Sequence, residues 1–428
     1  MKKRKEIQNK KKNARLYPIY KMMSWDLLFY FSIIYLFLTQ AKGFTASQVL
    51  LSDAFFTASC LILQFPMGMI VDKFGKKNSV VFANICLCIF NIIIIVLDSY
   101  YQLLIAYFIY AIGYVIKGVC ETNILYDSLP RGKRRGGLYS TIDGIGTSRF
   151  YIIDAVTGLV AGFAFVINPY LPIVLCLIGN ICATILSTKF KHTHIVDKEN
   201  DKTTDKKEYF NQLKEAMQFC ISSKRIRYLL LFYALVLGLL YNMTTFRSGV
   251  LEQVGLPEQY FGVVFAGTQI LASICSRTQN VIHNKFRNRT LSFLGIPLTL
   301  SCVLIGLFAM ENVILPEIII ISALFMMQGG IKGTFNVLIY RYLNNFTNRE
   351  VRTKLATLRN IIYNISAICI SLFGALLLDF TTAGNAILII GFITTTIMLI
   401  LLKIMKNEVG LKPEQYSEED LKYSSLKR

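Results

Sequence analysis

The sequence predicts an all-α membrane protein built as two similar six-helix halves. Three observations carry that reading. Apolar residues fall in runs of about 20, the length that lets a helix rising about 1.5 Å per residue cross the hydrocarbon layer. Charge is scarce: 54% of the 428 residues are hydrophobic and 17% are charged, with a mean hydropathy of +0.48, where a soluble chain carries about a quarter charged residues. A polar stretch at 189–227 then divides the apolar runs six and six.

The elements follow in order. Met1, Lys2, Lys3, Arg4 and Lys5 open a basic tail, 1–17, and no small-residue cleavage site follows the first apolar run. The tail therefore reads as a retained cytoplasmic segment before a spanning helix, not as a signal peptide. The N-terminal bundle, 18–189, holds spans at roughly 18–40, 47–71, 78–97, 101–127, 139–166 and 171–189. A linker, 190–227, places Tyr209, Leu213, Met217 and Cys220 on one face of a short amphipathic helix. The C-terminal bundle, 228–403, holds spans at roughly 228–246, 259–283, 290–310, 317–340, 357–378 and 384–403, before a cytoplasmic tail at 404–428. Inside lipid each backbone polar group must be satisfied within its own segment, which is why helices are expected.

All but six of the 46 Lys and Arg residues lie in alternate connections and in the two tails. The exceptions are Lys42 and Arg247 at the opposite ends of helices and Lys117, Arg149, Arg277 and Lys332 within spans. This asymmetry places both termini in the cytoplasm. The net charge of +20 is thereby a property of topology, and no basic, aromatic-interleaved soluble surface for nucleic acid is expected. Frequent Lys, Ile and Asn suggest an AT-rich bacterial genome and hence the bacterial inner membrane. Of ten cysteines, nine sit in apolar runs and Cys220 in a polar stretch, and no Cys-x-x-Cys occurs. They read as small buried hydrophobes, not as metal ligands or disulfides. No metal and no cofactor are expected.

The turn after the second span reads Gly68-Met69-Ile70-Val71-Asp72-Lys73-Phe74-Gly75-Lys76-Lys77. Gly68 would let a neighbouring helix approach, Gly75 would permit the tight turn, and the lysines would hold it at the cytoplasmic face. The segment resembles the G-x-x-x-D-[RK]-x-G-[RK]-[RK] signature of the major facilitator superfamily, at its expected place between helices 2 and 3. Asn284-Lys285-Phe286-Arg287-Asn288-Arg289 repeats the turn weakly in the second half, without the acid and the glycine. Asp127, Pro130, Arg134 and Gly136 loosely resemble the superfamily's connection from helix 4 to helix 5. Two signatures are absent: Ile109 stands where an arginine is expected, and Gly158 and Gly162 occur without the Gly-Pro-x-x-Gly-Gly run of many drug–proton antiporters. The resemblance implies two pseudo-symmetric six-helix bundles (6+6) around a central cavity, each with an inverted three-plus-three repeat. It also implies a gate in which Asp72, with Gly68, Lys73, Gly75 and Lys76, locks against Arg359 at the start of helix 11.

Ionisable residues within spans usually face a cavity or a partner. Helices 1, 4, 5, 8 and 10 contain Asp26, Lys117 with Glu121, Arg149 with Asp154, Arg277, and Lys332 respectively. Helices 3, 6, 9 and 12 carry no charge in their apolar cores, and in the superfamily those four are peripheral while the others line the central cavity. Counting outward from the turn near Arg134, Glu121 matches Arg149 in depth and Lys117 matches Asp154; Lys117 and Glu121 also share a helix face at i,i+4, while Arg149 and Asp154, five apart, do not share one cleanly. This set reads either as a structural salt-bridge group or as a substrate or proton site. Asp26 is a candidate for proton exchange or for a partnered helix-end acid. Lys332 is a candidate for an anionic group or an acid across the cavity. Asn242, Gln269, Gln328, Asn336 and Asn364 are uncharged candidates, for the solute or for bonds between helices.

The function expected is secondary active transport of a small-molecule solute by a monomer in the lipid bilayer, using alternating access. Proton-coupled export of an amphiphilic or drug-like compound is the preferred form, with H+ or another ion as the coupling partner. Uptake of a polar or anionic metabolite and a non-transporting receptor or scaffold are the alternatives. An enzyme is disfavoured: only His192, His194 and His283 are present, with no H-E-x-x-H and no nucleophile elbow. No G-x-x-x-x-G-K-[ST] phosphate loop is present either.

Overall fold

The computed structural model describes residues 2–130, 135–191, 214, 217–218, 224–286, 289–310, 313–345 and 349–408. No strand occurs among them. The helices are α1 (Lys2–Ser24), α2 (Ile34–Leu36, running into a π-helical turn at Phe37–Ala41), α3 (Ala46–Phe74), α4 (Lys76–Val96), α5 (Tyr100–Ser128), α6 (Arg135–Ile167) and α7 (Leu171–Thr188). After the linker come α8 (Lys224–Gln253), α9 (Gln259–Arg277), α10 (Gln279–Phe286), α11 (Thr290–Phe308), α12 (Leu315–Asn345), α13 (Arg349–Phe380) and α14 (Ala383–Glu408). Ten of these described helices are long and apolar enough to cross a membrane.

Two expected spans differ. The run at 18–40 is not one helix: α1 ends at Ser24, and regular helix resumes only at Ile34. The run at 259–283 is two helices that part at Thr278. At its N-terminus α1 starts inside the expected tail, because Lys, Arg, Gln and Glu propagate a helix well. An i,i+4 pair between Glu6 and Lys10, 2.8 Å apart, adds to it. The amphipathic helix expected at 209–220 falls almost wholly outside the described residues, as does the tail from 409 onward.

Local sequence sets the helix ends. Thr45 and Ser99 start α3 and α5 with capping boxes, each bonding reciprocally with the glutamine three residues on, Gln48 and Gln102. Gly75 closes α3 and opens α4 at φ +81°, a conformation that any side chain disfavours. Lys42 caps α4 by donating from Nζ to the carbonyls of Ile95 (2.8 Å) and Leu97 (3.0 Å). A cation at a helix C-terminus complements the macrodipole, which explains one of the two basic residues at the unexpected face.

The chain folds as two compact units. The first comprises Met1–Thr203 with Pro257–Ala266, and the second Thr204–Leu256 with Gly267–Arg428. In the first, α4 packs on α5 and α7, α3 on α5, and α1 on α5, α6 and α7. In the second, α11 packs on α14 and α8 on α13 and α14. The first unit takes in the opening turns of α9 because Gly158 and Gly162 of α6 let them come into backbone contact. A Cβ on Gly162 would lie 2.7 Å from the Gln259 carbonyl oxygen and 3.0 Å from the Gly262 nitrogen. Gly68, in contrast, has nothing within 4 Å of where its Cβ would stand. Among the described residues the close approach is served by glycines of α6.

The inner part of α1 is fastened on several sides. The Asn13 amide group donates to the Lys191 carbonyl (2.9 Å) and accepts from the Lys191 N–H (2.8 Å). Lys21 pairs with Asp143 of α6 at 2.5 Å, their side chains 8% and 26% exposed, and the Tyr17 hydroxyl donates to the same carboxylate oxygen at 3.0 Å. Gly146 makes room, since a Cβ there would stand 3.0 Å from the Lys21 chain.

Two outcomes follow for stability. Gly162→Ala is expected to lower the thermal unfolding midpoint of the detergent-solubilised protein by overpacking, about 1–3 kcal/mol. Gly179→Ala, where nothing lies within 4 Å, is expected to leave the midpoint unchanged or raise it. Asp143→Asn should cost roughly 3 kcal/mol by leaving the Lys21 charge unpaired. Adding Lys21→Met should recover most of that loss; a strictly additive double-mutant cycle would refute the pairing.

Candidate functional site

The interruption of α1 organises the polar groups of the first unit. The last helical bond runs from the Trp25 N–H to the Lys21 carbonyl, and helical bonding restarts with Ile33 and Ile34 on the Tyr30 carbonyl. Between them the Asp26 carboxylate accepts from the next N–H, that of Leu27, at 2.9 Å. A short acidic side chain thereby competes with the helix for its backbone donors. Phe29 takes φ +65°, which costs a side-chain-bearing residue about 1–2 kcal/mol. Non-helical backbone at membrane depth is tolerated only inside protein or beside water, and Leu27, Leu28, Tyr30 and Ile33 of this segment are all buried.

Around the end of α1 stands a network of buried and half-buried groups. The Tyr20 hydroxyl donates to Glu121 Oε1 at 2.8 Å, and Asn84 donates to the Tyr20 oxygen at 2.9 Å. The Ser24 hydroxyl lies 3.1 Å from Asn84 Oδ1 and 3.4 Å from Glu121 Oε1. Lys117, 4% exposed, donates from Nζ to the Ser24 carbonyl and stands 3.8 Å from Glu121. Asp26 is not isolated: besides its own backbone it accepts from the Tyr110 hydroxyl at 3.2 Å.

The hairpin pairing expected from depth is not what the structure contains. Glu121 takes its cation from Lys117, one turn away on the same helix, since an i,i+4 partner is nearer than one across a turn. Arg149 is exposed on α6 and makes no ion pair among the described residues. Asp154 is buried one turn further on, with the Thr157 hydroxyl on its backbone carbonyl at 3.2 Å. Phe150 and Tyr151, next to Arg149, pack against Trp25 with ring centroids 5.4 and 6.0 Å apart. The Lys21 ammonium lies 4.0 Å from the Trp25 ring centroid.

In the second unit, Asn242 joins α8 to α13: it donates to the Gly238 (2.9 Å) and Ala367 (3.1 Å) carbonyls and accepts from Ser371 (2.5 Å). Gln328 of α12 donates to Ser301 of α11 at 2.9 Å and to the Cys302 sulfur at 3.6 Å. Both are buried and bond between helices. Gln269, Asn336 and Asn364 are half-buried, and Lys332 and Arg277 are exposed. At the signature turn, Lys76 pairs with Asp127 at 2.6 Å, joining the two stretches that carry the family resemblance. Lys73 lies over the Phe74 ring at 5.7 Å, and the Asp72 side chain lies outside the described residues. Arg359 sits 5.7 Å from the Tyr233 ring centroid within the second unit. Among the described residues, no group of three or more His, Cys, Asp or Glu side chains could hold a metal ion.

Several members of this network were not singled out from sequence: Tyr17, Tyr20, Lys21, Ser24, Asn84, Tyr110 and Asp143. A signal existed in α1, where Tyr17 and Lys21, and Tyr20 and Ser24, are i,i+4 pairs on two faces of one helix end.

The arrangement can hold a helix end and a set of charges among apolar spans. No curated protein matches the chain in sequence. Solved transporters match it in fold: a mutant of the nucleoside transporter NupG, with a TM-score of 0.75 and 11% identity over 92% of this chain and 99% of that one. A bacterial homolog of the human lysosomal transporter Spinster gives 0.68 and 13%, over 96% and 98%. A peptide transporter, POT, in complex with alafosfalin gives 0.66 and 13%, over 95% of each chain. The family description of the Major Facilitator Superfamily matches residues 19–310. With that match over more than half its length, and with an all-helical fold shared with these transporters, the chain belongs to the Major Facilitator Superfamily.

Proposed function

We propose that this chain is a secondary active transporter that moves a small organic anion with an aromatic or apolar body by alternating access, exporting it in exchange for protons. The observation that carries this reading is Arg149. It lies eight residues, about 12 Å, inside the apolar span Thr141–Ile167, and it is exposed without an ion pair among the described residues. A guanidinium facing acyl chains costs several kcal/mol, about 2.5–3.5 on insertion scales, so its exposed face fits an aqueous path. Arginine is the cation whose planar fork matches a carboxylate or phosphate. One and two residues further along the same helix, Phe150 and Tyr151 pack on Trp25, and on this reading the rest of the solute rests on that aromatic group.

Asp26 supports proton coupling, because its carboxyl sits in the interruption of α1 and is hydrogen-bonded by Tyr110. A change in its charge would act directly on the place where that helix can bend. The bias of Lys and Arg toward one set of connections supports an inner-membrane protein with both termini in the cytoplasm.

The test is flux in proteoliposomes with an imposed pH gradient and a panel of aromatic carboxylates and phosphates. Accumulation of one anion on the acidic side is the expected result. Arg149→Gln should cut that flux tenfold to a hundredfold, the worth of a hydrogen bond to a charged group at about 1.5–3 kcal/mol, with little change in thermal unfolding. Wild-type flux in that variant sinks the anion reading. Asp26→Asn should keep downhill flux but abolish gradient-driven accumulation; if the wild type ignores the gradient and Asp26→Asn changes nothing, proton coupling through Asp26 is wrong.

A further inference from the structure

Two lysines of the first unit end helices, and they do so at different depths. Lys42 caps α4 beside a loop. Lys117 caps α1 well inside the apolar span Tyr100–Ser128, eleven residues or about 17 Å from its Ser128 end. Its ammonium meets the Ser24 carbonyl oxygen and, at 3.8 Å, the Glu121 carboxylate. The Ser24 hydroxyl lies 3.4 Å from the same carboxylate oxygen, which Tyr20 holds in place at 2.8 Å. Lys117 and Ser24 are 4% and 1% exposed. Oxygen donors with one full negative charge, gathered at the partly negative C-terminal end of an interrupted helix, form the ligand set of a small monovalent cation.

We infer that Lys117 is a tethered cation, whose ammonium fills a monovalent-cation site built by the broken end of α1 and Glu121. Its role is to hold α1 ended at Ser24, not to contact the solute. Arginine would bring a larger, flatter group, and a neutral amide would leave the Glu121 carboxylate without the cation 3.8 Å from it, with only the Lys21 charge, itself paired to Asp143, acting on it among the described residues. A chain that has lost only the lysine charge should therefore take up a free small cation in its place. This inference stands on the first unit alone and holds whichever solute is carried, so its test uses no solute.

Lys117→Ala and Lys117→Gln are purified at pH 8, and their thermal unfolding midpoints are compared in ammonium, sodium and choline chloride at equal ionic strength. The alanine leaves room for the ion; the glutamine keeps a donor for the Ser24 carbonyl and removes the charge. Ammonium or sodium should raise the Lys117→Ala midpoint by roughly 5 °C over choline, because an ion that binds only the folded state stabilises it. Lys117→Gln should be less stable than the wild type in choline. The wild type should not distinguish the three salts, and neither should Lys117→Ala combined with Glu121→Gln. Equal midpoints for Lys117→Ala in all three salts overturn the inference. So does a salt preference that survives in the double variant, or a Lys117→Gln protein as stable as the wild type. Failure to recover Lys117→Ala even in ammonium also counts against it, since the free ion should replace the lost one during folding.

Discussion

The carbonyl that ends α1 at Ser24 is met by Lys117, well inside the apolar span Tyr100–Ser128, and Ser24 is 1% exposed. An unsatisfied backbone group in hydrocarbon costs several kcal/mol, so a helix can stop at that depth only if the protein supplies the missing donors and counter-charges itself. Here Lys117 supplies the donor at Ser24, Glu121 supplies the counterion for Lys117, and Tyr20 supplies a hydrogen bond that holds Glu121. Asn84 in turn satisfies Tyr20 and Ser24. Each member exists to satisfy the one before it. Half-satisfied buried networks are worse than an apolar core, which is why the group comes as a set from α1, α4 and α5.

That set divides helix 1 into parts of unequal freedom. Its inner part is fastened to α6 through Lys21 and Asp143, to the end of α7 through Asn13, and to α5 through Tyr20. Its outer part begins again at Ile34, after a segment whose backbone bonds are few. An interruption bounded by a rigid partner is where a small change in charge has the most mechanical effect. Asp26 lies within it, bonded by one tyrosine from α5 and by its own backbone.

Ten of the twelve expected spans have a counterpart among the described helices and were legible because hydrocarbon thickness imposes a run length that composition displays directly. The Gly75 turn was legible too, since a reversal at φ +81° admits little else. The break was not. Residues 25–40 contain neither Pro nor Gly; the break sits where Asp26 takes the Leu27 N–H and a lysine 93 positions away meets the Ser24 carbonyl, and that second partner is not local. Depth alone sets Glu121 level with Arg149, whereas the shared helix face, equally legible in the sequence, sets it beside Lys117. The i,i+4 neighbour wins on distance. Asp143 escaped notice because it lies so soon after the basic 4–5 turn that it reads as a residue of the aqueous face. In the second unit, Asn242 and Gln328 stand where the bland alternative put them, since an amide between two helices can fill its bonding capacity without water.

Committing Lys117 to the scaffold narrows what a solute can meet in the first unit. A lysine held by a carbonyl and a carboxylate has no reason to exchange them for a passing anion, because leaving would strand Glu121. Arg149 carries no such obligation. Its neighbours also make it more than a surface charge: Phe150 and Tyr151, the next two residues, press against Trp25, which is the first residue beyond the end of α1 and is backed by Lys21. An anion drawn to Arg149 would thus load the same aromatic stack that abuts the interruption. Movement at the interruption would in turn displace the wall against which the anion rests. On the proposed reading, binding and bending would meet at Trp25, through its packing on Phe150 and Tyr151.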